Sequence, residues 1–183
     1  MNIIVACDSN YGIGINNNLP SWNLKDDLKK FKELTIGNGR NVVIMGKNTY
    51  LSFKKPLPNR INIVISKTLF NKYKQNNNSN IIKYNGFTFM ENLKDAFKYA
   101  NDICDIFEET GETWVIGGAQ LYETSITLMP INKLYVTMIE KDFKCDTFLK
   151  IKTRHIIQDT KWDSIETCKN KDFTYNFYEY ISN

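Results

Sequence analysis

The sequence contains a single histidine, His155, and four cysteines, Cys7, Cys104, Cys145 and Cys168, none of them in a C-x-x-C pair. Ligands this few and this widely spaced exclude the usual zinc sites, and no metal is expected; the thiols read as reduced core or surface groups. No run approaches the roughly 20 apolar residues that span a bilayer. The N-terminus, MNIIVACDSN, lacks the basic region and apolar stretch of a signal peptide. A cytoplasmic protein with no membrane partner is expected. There is no basic block either: the net charge of +4 comes from scattered lysines, without a basic stripe interleaved with aromatics, which argues against nucleic acid.

What is present is ordinary for a globular protein: 183 residues, 42% hydrophobic and 24% charged, enough for one domain over 1–183 with a sizeable core. Apolar, β-branched runs recur at 2–7, 41–46, 60–66, 80–84 and 113–118. Near-continuous Val/Ile runs suit strands covered on both faces. Helical patterns lie between them at 24–36, 48–53, 91–102 and 118–126, the alternation of a doubly wound, mostly parallel α/β sheet with about four helices. The runs 133–140 and 172–181 follow without an obvious long helix between them and suggest an antiparallel C-terminal edge. In the last run the alternation Phe173, Tyr175, Phe177 slips into Tyr178, Tyr180, the mark of a β-bulge. The polar stretch 71–80, NKYKQNNNSN, reads as a surface loop.

The segment NLKDDLKKFKELT, residues 23–35, poses the sharpest question. At about 100° per residue, Leu24, Leu28, Phe31 and Leu34 form an apolar stripe with Thr35 at its edge. Asp27 falls inside that stripe, while Asp26 joins Lys25, Lys29, Lys30, Lys32 and Glu33 on a solvated face. Burying an ionised group costs several kcal/mol, roughly, and helical spacing offers Asp27 no partner.

Other features collect at strand ends, where open α/β sheets bind ligands. The stretch 8–22, DSNYGIGINNNLPSW, is a long segment without a helix, and loops of this length are usually functional or disordered. Gly46-Lys47-Asn48-Thr49 and Gly117-Gly118-Ala119-Gln120 each open a helix after a strand, where backbone N–H groups bind phosphate and glycine permits close approach. Each also has a plain structural reading. Gly12 and Gly14 lack the third glycine of a dinucleotide fingerprint, since Asn17 stands there, and Gly46-Lys47 lacks the flanking residues of a Walker loop. Lys47 and Lys67 could be solvated lysines and nothing more, and Arg60, at the start of a strand, could fork onto a carboxylate.

Taken in order, IVAC, GIGINNNLPSWNLKDDLKKF, VVIMGKNTY, PLPNRINIVIS, WVIGGAQLY and LYVTMIEKDFKCDTF resemble dihydrofolate reductase across most of the chain. The resemblance implies an eight-stranded sheet of that fold, a monomer, NADPH as cofactor, and 7,8-dihydrofolate and antifolates as ligands. The implied reaction is hydride transfer to C6 of dihydrofolate with protonation at N5, supplying tetrahydrofolate for one-carbon metabolism and thymidylate synthesis. Asp27 is similar to the family's pocket carboxylate, which accepts hydrogen bonds from the pterin N3 and 2-amino groups, so that ligand binding offsets its burial. Trp22 would take the loop tryptophan's water-binding role. Ile4 and Ile116 would offer backbone carbonyls beside Val5 and Ala6, and Thr137 a hydroxyl to Asp27. Leu28, Phe31, Phe53 and Leu57 would be apolar walls, and Arg60 would hold the α-carboxylate of the substrate's glutamate.

For the cofactor, the resemblance sets the diphosphate against Gly46, Lys47, Asn48 and Thr49 and against Gly117, Gly118, Ala119 and Gln120, with a cis peptide joining the paired glycines. Lys47, Ser66 and Lys67 would meet the 2′-phosphate. Ala6, Ile13, Gly14, Leu19, Leu121 and Tyr122 complete the implied cofactor set, and the loop from Asn10 to Leu24 resembles a flap that closes over the site. Three departures stand out: Ser21 intervenes between Pro20 and Trp22, Tyr50 stands where tryptophan is frequent, and DTFLK lacks a common proline. The chain ends soon after its last strand, so no fused thymidylate synthase domain is expected. Two other readings share the scaffold. One is an NADPH-dependent pyrimidine reductase, against which Asp27 and Arg60 argue. The other is a noncatalytic nucleotide-binding protein, which would be expected to have lost Asp27 or the glycine pair.

Overall fold

Residues 2–8 show why this sheet is covered on both sides. Ile3, Val5 and Cys7 are buried in one apolar cluster, while Ile4 and Ala6 alternate onto the opposite face and pack against two others. The structure is a computed structural model that describes residues 1–74, 79–106 and 111–182. In chain order its elements are β1 (Asn2–Asp8), β2 (Gly12–Gly14), α1 (Lys25–Ile36), β3 (Val42–Gly46), α2 (Lys47–Ser52), β4 (Ile61–Ile65) and α3 (Lys67–Tyr73). There follow β5 (Ile82–Tyr84), β6 (Phe87–Met90), α4 (Leu93–Ile106), β7 (Thr113–Val115), α5 (Ala119–Leu128) and β8 (Lys133–Ile139). The chain closes with β9 (Thr147–Phe148), α6 (Ile151–Asp159), β10 (Ser164–Lys169) and β11 (Thr174–Ile181).

Nine strands form one mixed sheet in the order β10-β11-β8-β1-β7-β3-β4-β6-β5, and β2 pairs with β9 in a separate ribbon. The centre is parallel and the C-terminal edge antiparallel, as expected, but a second antiparallel pair, β5 with β6, closes the other edge. Among the described residues the sheet thus has nine strands rather than eight, and there are six helices rather than about four. The chain leaves β1, lays down β3 and β4 outward, sets β5 at the edge and β6 between β5 and β4, then returns to insert β7 beside β1 and to add β8 on its far side. This reversal opens a crevice at the carboxyl ends of β1 and β7.

Local chemistry accounts for the elements that periodicity did not mark. Asn85 and Gly86, with φ of 49° and 79°, turn β5 into β6, and Asn-Gly is the dipeptide such a two-residue hairpin favours. Helix α3 occupies the start of the stretch read as a loop, and its cap is Ser66, whose hydroxyl accepts the Leu69 N–H at 3.2 Å. Positions 75–78 of that stretch lie outside the described residues. Helix α6 stands between β8 and β11, where no obvious long helix was expected, and has nine residues; its first turn is capped by Glu123 of α5, which accepts the Thr153 N–H at 3.1 Å. Glu123 also accepts the Lys152 N–H and the Thr153 hydroxyl; against the upward push of burial, these hydrogen bonds hold its carboxyl below the ordinary range.

The expected bulge in the last strand is not there. Pairing of β11 with β8 runs unbroken from Tyr175 opposite Ile139 to Ile181 opposite Lys133. Aromatics simply occupy both faces: Tyr175 and Phe177 pack with Trp22 and Leu24, whereas Tyr178 and Tyr180 pack on the other side against the larger cluster. Among the described residues no helix is long and apolar enough to cross a membrane.

Candidate active site

Helix α1 carries Asp26 and Asp27 in its first turn, where carboxylates favour the positive end of the helix dipole. Its apolar stripe does not seal into the core. Leu24 is buried, Phe31 and Leu34 are half-buried, and Leu28 is 57% exposed, so the stripe is the wall of a cleft. Asp27 lines a cavity of about 210 Å³ in that cleft, together with Ile4, Lys30, Phe31, Tyr135 and Thr137. Asp26 turns away from it, as expected, and accepts the Tyr175 hydroxyl at 3.0 Å.

The partner that helical spacing could not supply comes from the sheet. Thr137 sits beside Ala6 in the pairing of β8 with β1, and its hydroxyl donates to Asp27 Oδ1 at 2.6 Å. Among the described residues no donor meets Oδ2. Burial raises the Asp27 carboxyl above its ordinary range, while the Thr137 hydrogen bond and the Lys30 charge oppose that rise. The group is thus a partly desolvated carboxylate with spare acceptor capacity facing a cavity, a receptor for a ligand that presents N–H donors.

Arg60 meets the C-terminal half of α1, beside the cavity-lining Phe31. Its Nη1 donates to Thr35 Oγ1 at 2.7 Å, its Nε to the Pro58 carbonyl at 3.1 Å, and its guanidinium lies 5.8 Å from the centre of the Phe31 ring. Buried Asn62 fixes the approach, accepting the Leu57 N–H and donating to the Leu57 and Arg60 carbonyls, all at 2.9 Å. Thr35 and Asn62 were not among the expected site residues; both are buried polar residues, Thr35 meeting Arg60 from α1 and Asn62 bonding the backbone of the turn just before its own strand.

A second constellation lies at the ends of β3 and β7. Gly117 and Gly118 are joined by a cis peptide, and the Gly46 N–H donates to the Gly117 carbonyl at 2.7 Å, drawing the two glycine turns together. A Cβ added at Gly46 or Gly118 would find nothing nearer than 3.6 Å. Bare backbone at two positions where a methyl would fit leaves a floor open to a ligand rather than packed by the protein. Lys47 is exposed beside it, Thr49 stands near Gly118, and Asn48 is exposed on α2. Lys67 pairs with Glu91 at 3.6 Å, and the Ser66 hydroxyl is engaged as the α3 cap. Ala119 is half-buried and Gln120 exposed, while Leu121 turns into the core. Tyr122, also buried, donates its hydroxyl to the Ile4 carbonyl at 2.8 Å and so links this floor to the cleft. Burial pushes that phenol far above its ordinary range.

The segment between β1 and α1 contains β2, a short strand the sequence did not reveal. Asp8, fully buried, accepts the N–H groups of Asn10, Gly12 and Phe143 at 2.9, 2.8 and 3.1 Å and anchors its base. The Asn16 N–H donates to Asp146 Oδ2 at 2.7 Å, and the Asn48 amide reaches Asn17 Oδ1 at 3.1 Å. Ile13 and Gly14 lie within this tethered part, whereas Leu19 is 64% exposed. Trp22 is buried against Phe143, with ring centres 5.9 Å apart. It falls outside the cavity wall, as do Val5, Leu28, Phe53, Leu57, Arg60 and Ile116. The Val5 side chain faces the opposite cluster, Phe53 and Leu57 each pack against the cluster that holds Ile116, and the Ile116 N–H donates to the Ile44 carbonyl at 3.0 Å.

A family model described as dihydrofolate reductase matches residues 1–182. The chain is 38% identical to a dihydrofolate reductase of Drosophila melanogaster over 157 residues, 80% of this chain and 77% of that one. It is 34% identical to a dihydrofolate reductase of Bacillus subtilis (strain 168) over 183 residues, 98% and 90% of the two chains. A viral dihydrofolate reductase of Saimiriine herpesvirus 2 (strain 488) is 33% identical over 194 residues, covering 100% and 86%.

Proposed function

The chain belongs to the dihydrofolate reductase family, and we propose that it reduces 7,8-dihydrofolate to tetrahydrofolate with NADPH as the hydride donor. The observation that carries this reading is Asp27: a half-buried carboxylate with one oxygen held by Thr137 at 2.6 Å and the other turned to an open cavity. A pterin ring presents two N–H donors side by side, at N3 and the 2-amino group, and a carboxylate accepts such a pair with charge-assisted strength. Ile4 and Phe31 bound the ring's slot, with the exposed Leu28 on the same helix for the ligand to cover, and the ionised Asp27 favours a positive charge on the bound pterin, which raises the proton affinity of N5. The proton reaches N5 through a water rather than directly, with Trp22 orienting that water from the flap.

NADPH, when bound, supplies the hydride that C6 receives. The open glycine floor fits its diphosphate: no side chain covers the backbone at Gly46 and Gly118, and Lys47 and Lys67 offer cations for the 2′-phosphate. Tyr122 fixes the Ile4 carbonyl between the two slots, and closure of the segment carrying Ile13, Gly14 and Leu19 excludes water. Mixing the protein with NADPH and 7,8-dihydrofolate is expected to give dihydrofolate-dependent loss of NADPH absorbance, with NADH far less effective. Absence of turnover by folded protein would overturn the substrate, and equal use of NADH would remove the roles given to Lys47 and Lys67.

Arg60 supplies a separate test. Its side chain is already ordered by Thr35 and Pro58, so the fork meets the substrate's α-carboxylate with little entropy to lose. Arg60→Lys keeps the charge and loses the fork. We expect KM for dihydrofolate to rise about 10-fold or more, the equivalent of one charge-assisted hydrogen bond, with kcat changed much less. A substrate analogue without the glutamate should show no difference between the two proteins.

A further inference from the structure

Lys30 stands one turn after Asp27 on α1, and both line the same cavity. Its neighbours Lys25, Lys29 and Lys32 extend into solvent. Lys30 does not: its Nζ lies 3.2 Å from Glu166 Oε2 and 4.2 Å from the centre of the Phe177 ring, and its side chain is only 35% exposed. Strand pairing explains the arrangement. Glu166 of β10 lies opposite Phe177 of β11, which lies opposite Thr137 of β8. The three side chains form one row across the sheet face beneath α1, with Asp27 bonded at the Thr137 end and Lys30 laid over Phe177 toward the Glu166 end. Adjacent strands are about 4.8 Å apart, so the row holds the ammonium roughly one strand from the Asp27 carboxylate.

We propose that Lys30 is a positioning residue of this active site, clamped by Glu166 and Phe177 so that the charge balance along the row sets the pH range over which Asp27 serves the reaction. The inference rests on the reading of Asp27 given above. Lys30 is the one cation in the cavity wall among the described residues. The other titratable groups facing the row are committed to partners or neutral: Asp26 accepts from Tyr175, Tyr135 and Ser164 both donate to Glu179, and the Cys168 thiol lies 3.9 Å from Glu166 Oε1. Tyr122 faces it from α5, bonded to Ile4. The Lys30 charge opposes the upward push that burial gives the Asp27 carboxyl, while Glu166 partly cancels that charge. Removing the lysine and removing the glutamate therefore act in opposite directions.

The test titrates Asp27 in ligand-free protein by its 13C carboxyl resonance, assigned by its loss in Asp27→Asn, alongside the pH profile of dihydrofolate-dependent NADPH oxidation. Lys30→Met is expected to move the Asp27 midpoint toward alkaline pH by roughly half a unit, as a partly screened charge at this distance should. The descending limb of the activity profile should follow. Glu166→Gln should move both toward acid pH, and Lys30→Arg should restore the wild-type midpoints. An Asp27 midpoint unchanged in both Lys30→Met and Glu166→Gln overturns the inference, as does a loss of activity in Lys30→Met that is uniform across pH. Should Lys30→Met fail to fold, the exposed Glu166→Gln change carries the test alone. Midpoint shifts without dihydrofolate turnover would support the charge balance and overturn the substrate instead.

Discussion

Asp27→Asn is expected to lower dihydrofolate turnover at neutral pH by about 10²- to 10³-fold, the usual scale of a lost acid–base contribution, while leaving the fold intact. Asparagine keeps an acceptor for the Thr137 hydroxyl, whose bond to Asp27 measures 2.6 Å, and removes only the charge. The loss should shrink at acid pH, where the pterin arrives already protonated. The same change should stabilise the ligand-free protein. Because burial raises the folded-state value of Asp27 above its unfolded one, the native state binds the proton more tightly and loses stability as pH rises between the two. The penalty is absent below the unfolded value and complete above the folded one. A higher Tm for Asp27→Asn at neutral pH, converging on wild type as pH falls through that window, is the expected result. Full activity with an unchanged Tm would mean that the carboxylate serves neither substrate nor charge.

That opposition between stability and use is why Asp27 was legible in the sequence: a carboxylate inside an apolar stripe violates helical amphipathicity. Its partner was not legible from helical spacing: Thr137 lies 110 residues away, only the pairing of β8 with β1 brings it under the helix, and it was the family resemblance that pointed to its hydroxyl. Thr35 escaped because its partner Arg60 comes from another element, whereas Asp8 and Asn62 bond mainly to backbone groups within five residues, in turns that carry no hydrophobic periodicity. The central strands were readable because burial on both faces demands continuous Val/Ile runs. Helix α6 was not, since Ile151, Thr153, Ile156 and Ile157 are β-branched and its first turn depends on Glu123 from another helix. The Asn85-Gly86 hairpin and the Ser66 cap were present as signals and were overlooked in favour of longer periodicities.

The paired glycines allow folding and ligand binding to be separated. Gly117 has φ of +111°, and a Cβ there would lie 3.1 Å from the Tyr122 hydroxyl oxygen and 3.3 Å from its ring. Tyr122 is buried and tied to the Ile4 carbonyl at 2.8 Å, so it cannot give way without breaking that bond. Backbone strain of about 1–3 kcal/mol and overpacking of similar size should together lower the Tm of Gly117→Ala by roughly 10 °C. Gly118 differs: its φ is −89°, and the nearest atom to an added Cβ is Thr49 Oγ1 at 3.6 Å, an ordinary contact. The apo protein does not require glycine there. If the floor is kept bare for the NADPH diphosphate, Gly118→Ala should retain a near wild-type Tm while its Kd for NADPH rises at least about 10-fold, the cost of one lost close approach on the scale of a hydrogen bond to charge. Calorimetric melting and fluorescence titration with NADPH decide the matter. A Gly118→Ala protein that melts normally and binds NADPH as tightly as wild type would move the diphosphate away from these glycines and leave Gly117 a purely structural residue.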